Sequence, residues 1–240
     1  MGKRSDAIAN EIKHWIVEQN LKPGHHLPQE KDLIEYFSSA KSTVREATKV
    51  LEAQGLVATR TGPGGGAFVT DIPQEKALSL LSNYFYFKNL KIKDIYQLRI
   101  QLEPEMAACL CGNLDEKDFQ RLKTAITIYS SPIATQEEEY QQRLDELVFH
   151  EVLADLCSNP LLSFVCHFLL NLLKNLDFCH EIYQKPNQDL FDTGRYYQMA
   201  LYDALEMENK DKVRELMREH MLAAEQIMLE RERELKGNLE

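Results

Sequence analysis

The spacing of apolar and polar residues changes character once along the chain, at Asp71-Ile72-Pro73. Before that point short helical and strand-like patterns alternate. After it every apolar pattern is helical. In the first part, Leu27-Pro28-Gln29-Glu30-Lys31 opens a helix, Ser38-Ser39-Ala40 makes a tight turn, and Lys41-Ser42-Thr43-Val44-Arg45-Glu46-Ala47 opens a second helix. Val44, Ala47 and Leu51 hold one face of that second helix, while Lys41, Arg45 and Lys49 recur at i, i+4 and i+8 on the other. Gly55 is placed to stop it in a left-handed conformation. Leu56-Val57-Ala58-Thr59-Arg60 and Ala67-Phe68-Val69-Thr70 are strand-like, and Gly62-Pro63-Gly64-Gly65-Gly66 lies between them. Beyond residue 73 the pattern predicts a connecting helix over 74–89, then helices over 92–113, 115–130, 135–157, 160–182, 187–207 and 209–235. Breaks at Asn113-Leu114-Asp115, Ser131-Pro132, Asn159-Pro160 and Lys185-Pro186 separate them. The expected fold is mainly α: an N-terminal winged helix-turn-helix with a small β-wing over 1–72, and a C-terminal antiparallel all-α bundle over 73–240.

A helix with one apolar and one cationic face can pack on its own domain while meeting a polyanion. Ser42 and Thr43 stand in its first turn, where free backbone N–H groups and short hydroxyls suit a phosphate oxygen or a base edge. Such a helix enters the major groove of duplex DNA with its N-terminus leading. The glycine tip lets backbone approach the narrow minor groove. A phosphate-cradling nucleotide loop needs a Lys-Ser or Lys-Thr pair and a helix directly after the glycines, and neither follows here.

The formal net charge of the 240 residues is −10, divided as +1 over residues 1–70 and −11 over the remainder. Acid held away from the reading head keeps DNA contact local. No stretch reaches the roughly 20 apolar residues of a membrane span, and no signal-peptide core follows Met-Gly-Lys-Arg-Ser-Asp, so a cytoplasmic protein is expected. Cys109, Cys111, Cys157, Cys166 and Cys179 are odd in number and lack Cys-x-x-Cys spacing. They read as buried thiols rather than disulfides or zinc ligands.

On these motifs residues 5–70 resemble the DNA-binding domain of the GntR family of bacterial transcriptional regulators, and the remainder resembles the helical ligand domain (FCD type) of its FadR subfamily. The resemblance implies base-edge and phosphate contacts from Lys31, Lys41 and Arg45, with Ser42 and Thr43 on the DNA backbone, and Gly64, Gly65 and Gly66 at the groove. The family usually has arginine at all three of the first positions. Lysine cannot make the planar bidentate fork to guanine that arginine makes. Ala40 stands where the family commonly has a helix-capping serine, with Ser39 and Ser42 as possible substitutes.

Glu146 and His150 lie four residues apart and leave one face of a helix, and His220 lies on the last helix. In the resembling subfamily an acidic residue, the histidine of a Phe-His pair and two later histidines commonly hold a metal. Phe149-His150 and His220 match, Glu146 takes the acidic place usually held by Asp, and Gln198 falls where the middle histidine belongs. A divalent Zn or Ni on Glu146, His150 and His220 is one expectation, although glutamine is a poorer ligand than imidazole. The other is that the histidines are buried hydrogen-bonded residues or direct effector contacts. Arg99, in Tyr96-Gln97-Leu98-Arg99-Ile100-Gln101-Leu102-Glu103-Pro104-Glu105, resembles the subfamily's cavity arginine, suited to a carboxylate, with a structurally paired arginine as the alternative. Tyr196, Tyr197, His167 and His180 are further candidates for a cavity, or plain core.

A metal-dependent hydrolase could use Glu146, His150 and His220 with Asp145 as base, yet there is no nucleophile motif, no His-Glu-x-x-His and no glycine-rich cofactor loop in the helical part. A non-responsive DNA-binding protein of the nucleoid type would lack an effector pocket. The favoured reading is a ligand-responsive transcription factor and not an enzyme. It would bind a palindromic double-stranded operator as a homodimer, because two recognition helices must meet two half-sites. Its effector would be a small organic acid contacting Arg99, Glu146, His150, Gln198 and His220.

Overall fold

The computed structural model describes residues 3–129, 136–175 and 188–237. Ser131-Pro132, Lys185-Pro186, Cys179, His180 and the end of the helix expected to 182 lie outside those residues. The chain divides into two compact units, Met1–Ala77 and Leu78–Glu240.

The first unit is built on α1 (Arg4–Glu18), α2 (Glu30–Tyr36) and α3 (Lys41–Ala53), followed by β1 (Val57–Arg60) and β2 (Gly66–Val69). Its core gathers Ile8 and Ile12 of α1, Leu33 of α2, Val44, Ala47 and Leu51 of α3, and Val57 and Val69 of the strands. Fully burying side chains of this size contributes roughly 1.5–3 kcal/mol each, so the apolar stripe of α3 fixes which face is left for solvent. Helix α1 had no counterpart in the pattern read from residue 27 onward; it supplies Ile8 and Ile12, both fully buried. Helix α3 ends as expected. Gly55 has a φ of +74°, the amide of Leu56 donates to the Leu51 carbonyl at 3.0 Å and that of Gly55 to Glu52 at 2.9 Å, which closes the last turn. Strands β1 and β2 pair antiparallel from Val57 opposite Val69 to Arg60 opposite Gly66. A further bridge joins His26 to Phe68.

Helix α4 (Gln74–Tyr86) spans the boundary between the units. The second unit continues with α5 (Ile92–Ala108), α6 (Glu116–Tyr129), α7 (Gln136–Leu156), α8 (Pro160–Asn175), α9 (Gln188–Glu206) and α10 (Lys210–Gly237). Local caps set several starts. The Asp115 carboxylate accepts the Lys117 and Asp118 amides at 2.8 and 3.0 Å. Asn159 does the same for Leu161 and Leu162 ahead of α8, whose first residue, Pro160, has no amide to leave unsatisfied. Helix α5 packs against α7, α8 and α10, and α9 against α6, α7 and α10, around one apolar core. Among the described residues no helix is long and apolar enough to cross a membrane.

Candidate functional site

Two surfaces carry the candidate residues, one in each unit. On α3 the apolar stripe is fully buried, and Lys41, Ser42, Arg45 and Lys49 are exposed beside the half-exposed Thr43. Lys31, on α2, is exposed as well. Ala40 stands at the cap position ahead of the helix, and its side chain caps nothing. The substitute caps do not form: Ser39 is turned back into the tight turn, its hydroxyl donating to the Phe37 carbonyl at 2.9 Å. The leading amides of α3 therefore have no side-chain acceptor at the cap position, which suits a helix that offers them to an anion.

The cations of α3 are organised by a residue the sequence reading did not single out. Glu30 accepts Nε of Arg45 at 2.7 Å on one carboxylate oxygen and faces Nζ of Lys41 at 3.4 Å with the other. Those bonds, chiefly the one from Arg45, hold the Glu30 carboxyl below its usual range. With Nε engaged, the Nη edge of Arg45 remains for a parallel pair of hydrogen bonds.

The wing tip needs glycine for two reasons. Gly62, Gly64 and Gly66 have φ of +100°, +75° and +143°. At Gly65 a side chain would run into the carbonyls of Arg60 and Gly62. The tip folds back on itself, the Gly65 amide donating to Gly62 at 2.8 Å.

The second unit holds a row of buried polar side chains drawn from three helices. Arg99 Nε of α5 donates to Glu103 Oε1 at 2.5 Å, one turn further along the same helix. Glu103 Oε2 lies 2.5 Å from Nδ1 of His150 on α7, and Nε2 of His150 lies 3.2 Å from Nε2 of His220 on α10. Tyr197 of α9 stacks on His220 at the row's end, its ring centroid 5.1 Å from that of His220. Arg99, Glu103, His150 and His220 are all buried, as are Glu146 and Gln198.

Burial alone would raise the Glu103 carboxyl, but Arg99 and His150 outweigh it by charge and hydrogen bonding and lower it from 4.5 to about 2. His220 is held well below the usual histidine range, first by burial and then by His150 and Arg99. Facing a carboxylate, His150 Nδ1 donates, and a single proton bridges the two Nε2 atoms, carried by one ring or the other. His220 Nδ1, on the other side of that ring, is buried and has no hydrogen-bond partner. Gln198 Oε1 is likewise buried without a partner, while its Nε2 donates to the Glu146 carbonyl at 3.2 Å.

The structure thus brings together His150 and His220 of the expected residues and adds Glu103 to them. Arg99 takes the internally paired form. Glu146 is engaged through its backbone by Gln198, and Asp145 accepts a hydrogen bond from Gln141 at 3.0 Å. Among the described residues no group of three His, Cys, Asp or Glu side chains is arranged to hold a metal ion. Tyr196 is exposed, and His167 pairs with Asp155 at 3.0 Å, so neither joins the row. Glu103 was legible in principle: it lies at i+4 from Arg99, the spacing at which a carboxylate and a guanidinium meet on one helix face.

A winged reading head joined to an all-α unit with a buried polar row defines a class: DNA-binding regulators that answer to a ligand. A family model for bacterial regulatory proteins of the gntR family matches residues 4–69, and one for the FCD domain matches residues 94–223. The chain belongs to the GntR-type bacterial regulators that carry an FCD domain. It is 25% identical over 231 residues to the HTH-type transcriptional repressor NanR of Enterobacter sp. (strain 638), covering 91% of this chain and 83% of that one. To the HTH-type transcriptional regulator LutR of Bacillus subtilis (strain 168) it is 30% identical over 158 residues, covering 66% of this chain and 70% of that one. Among solved structures, Streptococcus agalactiae GntR matches with a TM-score of 0.64 at 18% identity, over 92% of this chain and 99% of that one, and shares the fold. The protein is a ligand-responsive DNA-binding transcriptional regulator and not an enzyme, which sets aside the hydrolase reading.

Proposed function

We propose that this regulator binds a palindromic operator as a homodimer in the cytoplasm, with residues 1–72 on DNA and residues 73–240 for effector binding and dimerisation. Lys31, Lys41, Ser42, Thr43, Arg45 and Lys49 meet the major groove and its phosphates, and Gly64, Gly65 and Gly66 meet the minor groove. The effector is a small organic acid that reaches the end of the Arg99–Glu103–His150–His220 row and represses or releases the operator by favouring one arrangement of the chain.

The observation that carries this reading is a pair of buried, unpartnered polar atoms, His220 Nδ1 at that end and Gln198 Oε1 on α9. A buried polar atom without a partner costs about 1–3 kcal/mol. A protonated or hydroxyl-bearing acid removes that cost by donating to one of them, and the Arg99 guanidinium contributes a favourable field at the other end of the row. Operator titrations with and without a panel of organic acids test it. An effector must bind the DNA-competent and DNA-incompetent arrangements unequally to shift anything.

A divalent ion, Zn or Ni, is a second reading, favoured by the 3.2 Å between the two Nε2 atoms. Two imidazoles on one ion at roughly 2.0–2.1 Å stand about that far apart. In that case both Nε2 atoms are bare and Glu103 orients His150 from behind, as carboxylates do for metal-bound histidines. Two nitrogens are an incomplete set, so the effector response is derived without an ion.

A further inference from the structure

Helices α5 and α7 are each followed at once by a cysteine. Cys109 ends α5 and Cys157 ends α7, and their sulfurs lie 3.5 Å apart. Cys109 Sγ also lies 3.0 Å from the Met106 carbonyl, to which its thiol donates, and Cys157 Sγ is 3.7 Å from that of Asn159. Cys109 is half-buried and Cys157 is buried, so Cys109 is the sulfur of the pair open to a small oxidant. Cys166 is fully buried on α8 and is not in this contact.

We propose that Cys109 and Cys157 are a modification site, a dithiol that a peroxide converts reversibly into an intramolecular disulfide. The Cys109 thiolate attacks one peroxide oxygen, the O–O bond breaks, one water leaves, and Cys109 becomes a sulfenic acid. Cys157, losing its proton, then attacks the Cys109 sulfur; the S–O bond breaks, the S–S bond forms and a second water leaves. Two thiols have lost two protons and two electrons, and the peroxide has gained them. A thiol reductant reverses the step by exchange.

The geometry asks for little: the sulfurs close from 3.5 Å to about 2.05 Å. In a reducing compartment the resting state is the dithiol, in keeping with a sequence that reads as free thiols. Burial, with the neighbouring Cys157 sulfur, pushes the Cys109 thiol up to about 11, so little thiolate exists near neutrality. The pair therefore answers to sustained oxidant rather than to a brief pulse, and faster as pH rises. The bond would tie the C-terminal ends of α5 and α7, the helices whose Glu103 and His150 share the 2.5 Å contact.

The test treats the full chain with hydrogen peroxide, blocks residual thiols, and maps peptides without reduction. Trypsin leaves Cys109 with Cys111 on one peptide and Cys157 with Cys166 on another, so the variant C111S/C166S makes the assignment. The expected result is one crosslinked peptide pair, lighter by two hydrogens, present in wild type and in C111S/C166S, lost on adding dithiothreitol, and formed faster at higher pH. C157S should stop at a Cys109 sulfenic acid that a dimedone probe labels. A crosslink through Cys111, Cys166 or Cys179 in place of this pair, thiols that over-oxidise without crosslinking, or an unchanged crosslink in C109S overturns the assignment.

Discussion

Glu30 grips the Nε edge of Arg45 at 2.7 Å, on the exposed face of the helix that carries the cations. An exposed ion pair adds little to stability; this one restrains a long side chain by its Nε and leaves the Nη groups for other acceptors. If Arg45 reads a base edge, Arg45→Ala should weaken operator binding by about 1–3 kcal/mol and relax discrimination at that base. Glu30→Gln should raise affinity for unrelated duplex while narrowing the gap between operator and scrambled sequence, because it removes a negative charge and the template together. Lys123→Ala, in the helical unit, should leave both affinities as they are. Fluorescence titrations at low and physiological salt check all three. Unchanged binding by Arg45→Ala would remove the recognition helix from the interface.

The reading head was legible because it is local. The stripe of α3, the stop at Gly55 and the glycine tip are each written within a few residues, and the structure forms them from those same residues. The helices of the second unit start within a residue of their expected positions, and aspartate, asparagine and proline mark the starts of α6, α8 and α10, but α5 stops at Ala108 instead of running to 113. What the sequence hid is what depends on distant residues. Glu103 meets His150 across 47 positions and His150 meets His220 across 70, so no spacing rule pairs them. Ser39 misled for a local reason: its hydroxyl had two acceptable bonds, and the turn took it.

Acid should unfold the protein in two steps with assignable owners. His220 keeps a folded pKa below its ordinary 6.5, so the unfolded chain binds the extra proton and stability falls as pH drops below about 6.5. Glu103 is lowered from 4.5 to about 2, so its contribution is present above 4.5 and is lost as pH falls from there toward 2. Thermal melts from about pH 8 to about pH 3 should show both losses. His220→Phe should flatten the upper step and Glu103→Gln the lower. Stability that stays flat between about pH 7 and about pH 5 would show that His220 is not held neutral in the fold.

If an ion uses the two imidazoles, protein purified without chelator should carry near-stoichiometric divalent metal, and His150→Ala should lose it. Gln198→His should then tighten binding, because imidazole replaces an amide among the candidate donors. Because His150→Ala also strips Glu103 of a partner, His150→Gln is the companion variant, and circular dichroism confirms that each is folded. Elemental analysis that finds no metal, with no uptake on titration, leaves the hydrogen-bonded row as the whole account.

The coupling between the units decides whether the polar row is a sensor. An effector that distinguishes two arrangements by 1–3 kcal/mol changes operator affinity by roughly 5- to 150-fold, and operator DNA must change effector affinity by the same factor. Arg99→Ala, the obvious variant, is a poor probe. Arg99 is buried with its Nε on Glu103, and removing one partner of a buried pair costs about 3–5 kcal/mol in stability. His220→Phe is better: it keeps an aromatic ring against Tyr197 and deletes both nitrogens, including the unpartnered Nδ1. It should bind operator as wild type does without effector and show no shift when the acid is added. Gln198→Leu should weaken the shift without abolishing it. A full response in both variants would move the effector elsewhere, and the groove lined by Lys123, Thr127, Arg195 and Tyr202 would be the next place to look.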